Sequence, residues 1–158
     1  MPDPRQPPPA YGEELFHQFV HTVQDHAIFA MDSQGRIVRW NAGAEVIMGF
    51  AADDVIGREL PDIFTQEDCD AGIPRLELET ARRMGRAADE RWHVRKDGSR
   101  FWGMGAVTAL RGSDGALLGY GKIVADRTDL KELQDTLQSR NDALAHGDEL
   151  KNRFLATL

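Results

Sequence analysis

The segment ERWHVRKDGSRFWGMGAVTALRGSDGALLGYGKIVA, residues 90–125, decides the fold. Two short polar segments separate three strand-forming runs in it, at 90–95, 101–110 and 117–125. The first, KDGS at 96–99, contains an Asp-Gly pair that favours a type I′ hairpin turn, and GSDG at 112–115 is a second turn. The segment therefore predicts three antiparallel strands that are joined by hairpins.

The preceding residues predict two more strands and several short helices. Strand-like runs at 27–31 and 36–40 flank the turn DSQG. Asn41 is a plausible N-cap for a helix over 42–48. A small helix at 62–64 and a longer one at 66–84, with a break near 72–74, complete this part. We expect an α+β domain with one five-stranded antiparallel sheet and small helices on one face.

Alternation along the long strand puts Gly103 and Gly105 on one face and Trp102 and Met104 on the other. Glycine weakens a strand unless another element approaches closely, so we expect the glycine face to receive the N-terminal helix. The opposite face would then meet the small helices, around a filled core or a small-molecule pocket. The residues expected to line this interior are Trp40, Met48, Phe64, Leu76, Trp92, Trp102, Met104 and Tyr120.

Both ends of the chain predict flanking segments. Residues 1–11 are proline-rich and predict a disordered tail, and an amphipathic helix follows at 12–24. Residues 128–150 carry leucines at heptad spacing and predict a parallel two-stranded coiled coil, although Arg140 and Gly147 interrupt its apolar seam. The dimer interface is expected at Leu15, Phe16, Phe19, Val20, Leu130, Leu133, Leu137 and Leu144.

Composition excludes several classes of function. The net charge of -7 disfavours a nucleic-acid partner, and no apolar run is long enough to span a membrane. The single cysteine, Cys69, permits neither an internal disulfide nor a cysteine-based zinc site, and it fits a cytoplasmic protein. His17 and His21 share a helix face but have no third clustered ligand, so we expect no metal site. No arrangement of nucleophile and base predicts catalytic residues.

Several motifs in order resemble the PAS family. DSQGRIVRWN at 32–41 resembles the opening hairpin of PAS domains, and RKDGS at 95–99 resembles their central hairpin. Gly119-Tyr120 and the ending Asp126-Arg127-Thr128 are similar to the last PAS strand and its Asp-x-Thr close. The resemblance covers about 12–128 and implies a PAS domain at 25–127. By this resemblance, Asp126, Arg127 and Thr128 would relay a signal into the helix, with Asp126 or Thr128 as its cap.

A second resemblance concerns KNRFLATL at 151–158, which looks like the entry to the dimerisation and phosphoacceptor helix of bacterial histidine kinases. It implies an ATP-dependent kinase parent, a homodimer and a response regulator partner, with no catalysis in this fragment. A diguanylate cyclase parent is the alternative, although the Leu-Thr-Gly-Leu segment of that class is absent before Asn152.

The resemblance also bears on cofactors. Light-oxygen-voltage domains form a flavin adduct through a cysteine in a Gly-x-Asn-Cys-Arg segment, whereas this chain has Leu60 at the cysteine position. Cys69 is expected to be incidental. Haem-binding PAS domains take a histidine from the long helix, but 66–85 contains none, and His93 is expected on the solvent face of its strand. Flavin adduct chemistry and haem are therefore disfavoured and the cofactor is unknown. A ligand sensor and a ligand-free scaffold both stay open.

Overall fold

The computed structural model describes residues 9–158, and the predicted disordered tail therefore lies largely outside the described residues. The chain divides into two compact units, one that ends at Asp126 and one that spans Arg127–Leu158. In the part of the chain that the structure describes, no helix combines the length and apolar composition that crossing a bilayer requires.

The first unit is built on a five-stranded antiparallel sheet in the order β2-β1-β5-β4-β3. The predicted α+β fold with its five-stranded sheet is confirmed. Gly98 has a φ of 84° in the turn between β3 and β4, a backbone conformation that glycine adopts without steric cost. The strands are β1 Ala27–Asp32, β2 Ile37–Trp40, β3 Arg86–Val94, β4 Arg100–Arg111 and β5 Leu117–Asp126.

Short helices cover one face of the sheet, as predicted. The predicted long helix is broken at Gly72, which has a φ of 72° and separates two helices. The N-terminal helix lies slightly closer to the N-terminus than the predicted 12–24. The helices are α1 Pro9–Thr22, α2 Ala42–Met48, α3 Ala52–Val55, a 3-10 turn Leu60–Ile63, α4 Gln66–Asp70, α5 Ile73–Met84 and α6 Thr128–Ala156.

Asn41 joins three of these elements through one buried side chain. Its Oδ1 accepts hydrogen bonds from the amide of Ala44 at 2.8 Å, which caps α2, and from the amide of Ile28 in β1 at 2.9 Å. Its Nδ2 lies 3.1 Å from the carbonyl oxygen of Val20 in α1 and 3.1 Å from that of Val23. The predicted N-cap therefore also fixes where α1 ends relative to the sheet.

The assignment of the sheet faces was wrong. Phe101 and Val107, which share a face with the strand glycines, are fully buried beneath the short helices. A Cβ at Gly103 would lie 2.5 Å from Cδ2 of His93, and one at Gly105 would lie 1.8 Å from the carbonyl oxygen of Ile123. The close approach that excludes side chains therefore comes from neighbouring strands of the sheet and not from the N-terminal helix.

The second unit consists of α6 and is described by itself. None of its residues is buried. Arg127 is the N-cap residue and its side chain makes no capping hydrogen bond, so the predicted cap by Thr128 is wrong because Thr128 is already the first helical residue. The heptad leucines Leu130, Leu133, Leu137 and Leu144 are 44–69% exposed in the single chain. An apolar stripe of this kind is typical of a helix that packs against another helix.

Candidate functional site

A cluster of four ionisable side chains fills part of the interior between the sheet and α5. Lys122 stands on the central strand β5, Asp89 and His93 stand on β3, and Glu77 projects from α5. All four side chains are buried, with at most 5% of any residue exposed. Buried charges are costly unless they are paired and hydrogen-bonded, so the contacts of this cluster decide what it does.

Lys122 is held between two carboxylates from different elements. Its Nζ lies 2.7 Å from Oδ2 of Asp89 and 2.9 Å and 3.1 Å from the two carboxylate oxygens of Glu77. The same ammonium lies 4.9 Å from the centre of the Phe64 ring, within the range of a cation–π contact. One cation therefore connects α5 to the edge and the centre of the sheet.

His93 makes two hydrogen bonds, one through each ring nitrogen. Its Nε2 lies 2.8 Å from Oδ2 of Asp89 and its Nδ1 lies 3.1 Å from the carbonyl oxygen of Ile63. A carbonyl oxygen can only accept, so Nδ1 carries a hydrogen. Nε2 faces the Asp89 carboxylate, so the ring is held between an acceptor on β3 and an acceptor in the 3-10 turn. His93 was predicted to face solvent, and that prediction is wrong because its face of β3 is the buried one.

Burial and pairing act on the two carboxylates in different directions. Burial alone would raise the pKa of Asp89, but the hydrogen bond from His93 and the charge of Lys122 prevail and lower that pKa below its usual range. Burial raises the pKa of Glu77, and the nearby charge of Asp89 adds to this rise while Lys122 opposes it. Asp89 is therefore the firmly ionised anion of the cluster, and Glu77 is the member most easily protonated.

The cluster reaches the protein surface through Arg91. The Nε of Arg91 donates to Oδ1 of Asp89 at 2.9 Å, and its Nη1 lies 3.5 Å from Oδ2 of Asp68 on α4. The side chains of Arg91 and Asp68 are each 25% exposed. Among the described residues, every buried side-chain nitrogen and oxygen has a hydrogen-bond partner. The buried charges of the cluster therefore satisfy one another, and the cluster is an ionic link between α4, α5, β3 and β5.

A second ionic contact lies where the last strand ends. The Nη2 of Arg95 donates to Oδ2 of Asp126 at 2.7 Å, with both side chains less than a third exposed. Nη1 of Arg95 donates to the carbonyl oxygen of Ile47 in α2, and the guanidinium lies 4.7 Å from the centre of the Phe101 ring. Arg95 thus ties the end of β5 to the helical layer, one residue before the chain enters the second unit.

The structure separates the predicted interior residues into two groups. Trp40, Met48, Phe64 and Tyr120 are buried in the core. Leu76 is 54% exposed, because α5 turns Glu77 and Ala81 towards the sheet instead. Trp92 and Trp102 form an edge-to-face pair at 5.4 Å on the outer face, and the partly exposed Met104 lies on that face too. The assignment of the last four to the interior is wrong, because the buried faces of β3 and β4 are those of His93 and Phe101.

The other predicted residues lie as follows. Leu15, Phe16 and Phe19 are 58–67% exposed on α1, and Val20 is half-buried. Asp126 pairs with Arg95, while the side chain of Arg127 is exposed and that of Thr128 is partly buried. Cys69 is partly buried, and burial together with three nearby aspartates raises the pKa of its thiol, so the thiol stays protonated.

Sequence reasoning missed Glu77, Asp89 and Lys122. One signal was available, because Lys122 alternates with Tyr120 and Val124 on a single face of β5 and so falls at a core position. Its partners were harder to find, since Glu77 lies on another element and 45 residues away in sequence. An acidic residue on an amphipathic helix normally faces solvent.

Comparisons with known proteins agree with this architecture. A family model described as PAS domain matches residues 25–129. Two-component system protein A of Emericella nidulans is 37% identical over 149 residues, which are 94% of this chain and 21% of that protein. The chain thus spans about a fifth of the curated relative that it matches.

Solved structures share the fold at low sequence identity. The PAS domain of a Colwellia psychrerythraea protein has a TM-score of 0.67 and 23% identity, over 74% of this chain and 98% of that chain. An RNA-binding light-oxygen-voltage receptor has a TM-score of 0.73 and 22% identity, over 92% of this chain and 41% of that chain. At this identity the likeness concerns the fold alone.

Replacing Lys122 by methionine should destabilise the protein strongly. The substitution keeps the aliphatic stem but leaves Asp89 and Glu77 buried without their shared cation, a change that costs about 3–5 kcal/mol of unfolding free energy. Lys96→Met is the matched control, because the Lys96–Asp54 pair is about half exposed and should contribute far less to stability. Urea unfolding at pH 7 measures the unfolding free energy of both variants and of the parent. Equal effects of the two substitutions would contradict the proposed importance of the cluster.

The cluster should also make stability depend on acid pH. The folded state holds the pKa of Asp89 below its unfolded value, so the unfolded chain binds more protons and stability falls as pH drops below about 4. The raised pKa of Glu77 has the opposite sign and offsets part of this loss. Unfolding free energies between pH 7 and pH 2 should therefore depend less steeply on pH in Asp89→Asn than in the parent. Asp54→Asn, at the exposed pair with Lys96, should change the pH dependence of the unfolding free energy less than Asp89→Asn does. A larger change in Asp54→Asn than in Asp89→Asn would refute the assignment of this pH dependence to Asp89.

Proposed function

This chain belongs to the PAS domain family, and from that premise we propose that it is the signal-relay module of a two-component sensor protein. The relative from Emericella nidulans bears the name of a two-component system protein and aligns with nearly all of this chain. Since that organism is a fungus, the proposal makes no use of the bacterial origin that the sequence suggested. A histidine kinase parent, a response regulator partner and a cytoplasmic location belong to the proposal.

The contact of Arg95 with Asp126 is the observation that carries this proposal. Asp126 is the last residue of β5 and is followed directly by Arg127 and the first residue of α6. Arg95 holds that carboxylate while its other nitrogen holds Ile47 in α2. A displacement of the helical layer would therefore weaken the hold on Asp126 and free the end of β5. If this contact is formed in one state and broken in another, a free-energy difference of only a few kcal/mol between the two states is enough to change the signalling output.

Relay through α6 requires a partner helix. The exposed stripe of Leu130, Leu133, Leu137 and Leu144 supports a parallel coiled coil between two copies, in which a shift of β5 becomes a rotation or a change of register. Arg140 and Gly147 occupy seam positions where leucine would be more stabilising. These weaker positions would keep the two registers close in free energy.

The closed ionic cluster favours a second candidate, a PAS module that relays without a ligand in its interior. Lys122, Asp89, Glu77 and His93 satisfy one another at the inner face of the sheet. A ligand that entered there would have to replace these contacts or leave buried charges without partners, which is strongly unfavourable. Native mass spectrometry of the purified protein separates the two candidates, since an unexplained added mass supports a ligand sensor and the bare chain mass supports the ligand-free module.

Asp126→Asn in the full-length parent should uncouple sensing from output. The asparagine keeps the size of the side chain but removes the charge that Arg95 holds, so the end of β5 is held less firmly to the helical layer. We expect the signal-dependent change in autophosphorylation to fall about fivefold or more, with circular dichroism unchanged. Asp54→Asn removes an equivalent charge from the exposed pair with Lys96 and serves as the control. Normal regulation in Asp126→Asn would refute the relay through this contact.

Leu137→Asp should dissociate the dimer. A carboxylate at a heptad seam position would be buried without a partner in the coiled coil. Leu76→Asp is the matched control, because Leu76 is 54% exposed, close to the 51% of Leu137, but lies on α5. Sedimentation velocity should show a dimer for the parent and the control and a monomer for Leu137→Asp. A monomeric parent at high concentration would eliminate the coiled-coil proposal.

A further inference from the structure

An open cleft separates α1 from the outer face of the sheet, on the side away from the ionic cluster. Its volume is about 470 Å³, which lies within the range of small-molecule sites. Phe16 and Val20 of α1 line one wall, and Ile28, Leu110 and Ile123 of the sheet line the other. Phe16 is 67% exposed and Ile123 is 45% exposed, so the cleft leaves apolar surface in contact with water. Covering such surface is favourable because it removes apolar area from water.

Gly121 forms the floor of this cleft. Leu110 lies beside the bare backbone of Gly121, where an added Cβ would meet the Leu110 side chain at 3.6–3.9 Å. These are ordinary van der Waals distances, so a side chain at position 121 would be tolerated and would occupy the cleft. The space therefore exists because the floor lacks a side chain.

The polar rim of the cleft is formed by Arg39, His17, His21 and Glu13. Arg39 is exposed, and among residues 9–158 it has no ion-pair partner. Ala30 pairs with Arg39 on one side and with Gly121 on the other, so the Cα atoms of Arg39 and Gly121 are two strand spacings apart, about 10 Å. The imidazoles of His17 and His21 are stacked 6.1 Å apart on the opposing helix.

We propose that this outer cleft binds a single-chain amphiphilic carboxylate, such as a medium-chain fatty acid in free monomeric form. The chain would lie on the Gly121 floor between Phe16 and Ile123, and the carboxylate would meet the guanidinium of Arg39, which presents paired donors to a planar anion. Because α1 forms one wall, such a ligand would bridge the flanking helix and the sheet. The inference concerns binding alone and does not depend on the relay proposed above.

Titration calorimetry with the full chain tests this site. Dodecanoate, dodecanol and dodecyltrimethylammonium, each below its micelle concentration, serve as probes with the same chain and different head groups. We expect dodecanoate to bind about tenfold more tightly than dodecanol, and the ammonium amphiphile to bind most weakly. Equal affinities for the three probes, or no binding of dodecanoate, would overturn the proposal.

Two substitutions locate the bound molecule. Gly121→Val should weaken dodecanoate binding about tenfold or more because the valine occupies the floor. Arg39→Gln should weaken dodecanoate about tenfold but leave dodecanol unchanged, while Arg36→Gln, an exposed arginine of the same hairpin, should change neither. Unaltered binding in Gly121→Val would place the ligand elsewhere and refute the site. A loss of dimer in Gly121→Val without any amphiphile binding would overturn the proposal in favour of a protein partner at this face.

Discussion

The pairing of Lys122 with Asp89 and Glu77 is the constraint on which the rest of the domain depends. Lys122 occupies the middle of the central strand, in register with Phe29 and Val107, at a position where an apolar side chain would be expected. An ammonium group there is stable only if anions reach it from above the sheet. Asp89 supplies one anion from the edge strand and Glu77 supplies the other from α5, so the position of α5 over the sheet is fixed by charge as well as by packing.

The ionic cluster restricts how the inner helices can move relative to the sheet. The interior is held by hydrogen-bonded ions of opposite sign, whose geometry is directional, and the apolar core surrounds them. Movement of α5 relative to β5 would expose an unpaired charge, so the inner layer should move as one body. The Arg95–Asp126 pair at the end of β5 is more exposed to water than the cluster, with side chains 25% and 29% exposed, and it is the contact through which we propose that a displacement is passed on.

Local features of the fold could be predicted because short stretches determine them. The Asp-Gly turn at Gly98, the helix break at Gly72 and the cap at Asn41 each follow from the conformational freedom or hydrogen bonding of one residue. The alternation of β4 was also predicted, but its burial was inverted. The sequence predicts Trp92 and Trp102 in the core because large aromatic side chains are usually buried, but the two rings pack against each other on the outer face. The charged cluster could not be predicted, since Glu77 and Asp89 become core residues only when the fold brings them to Lys122.

The central claim is that hydrogen-bonded ions close the interior, with the buried His93 ring held between Asp89 and Ile63. Nitrogen-15 NMR of the His93 ring at pH 7 tests this directly. We predict that Nδ1 carries a hydrogen that exchanges slowly with water, because it donates to the buried carbonyl oxygen of Ile63. An Nδ1 without a hydrogen, or a hydrogen there that exchanges as fast as that of an exposed histidine, would contradict this.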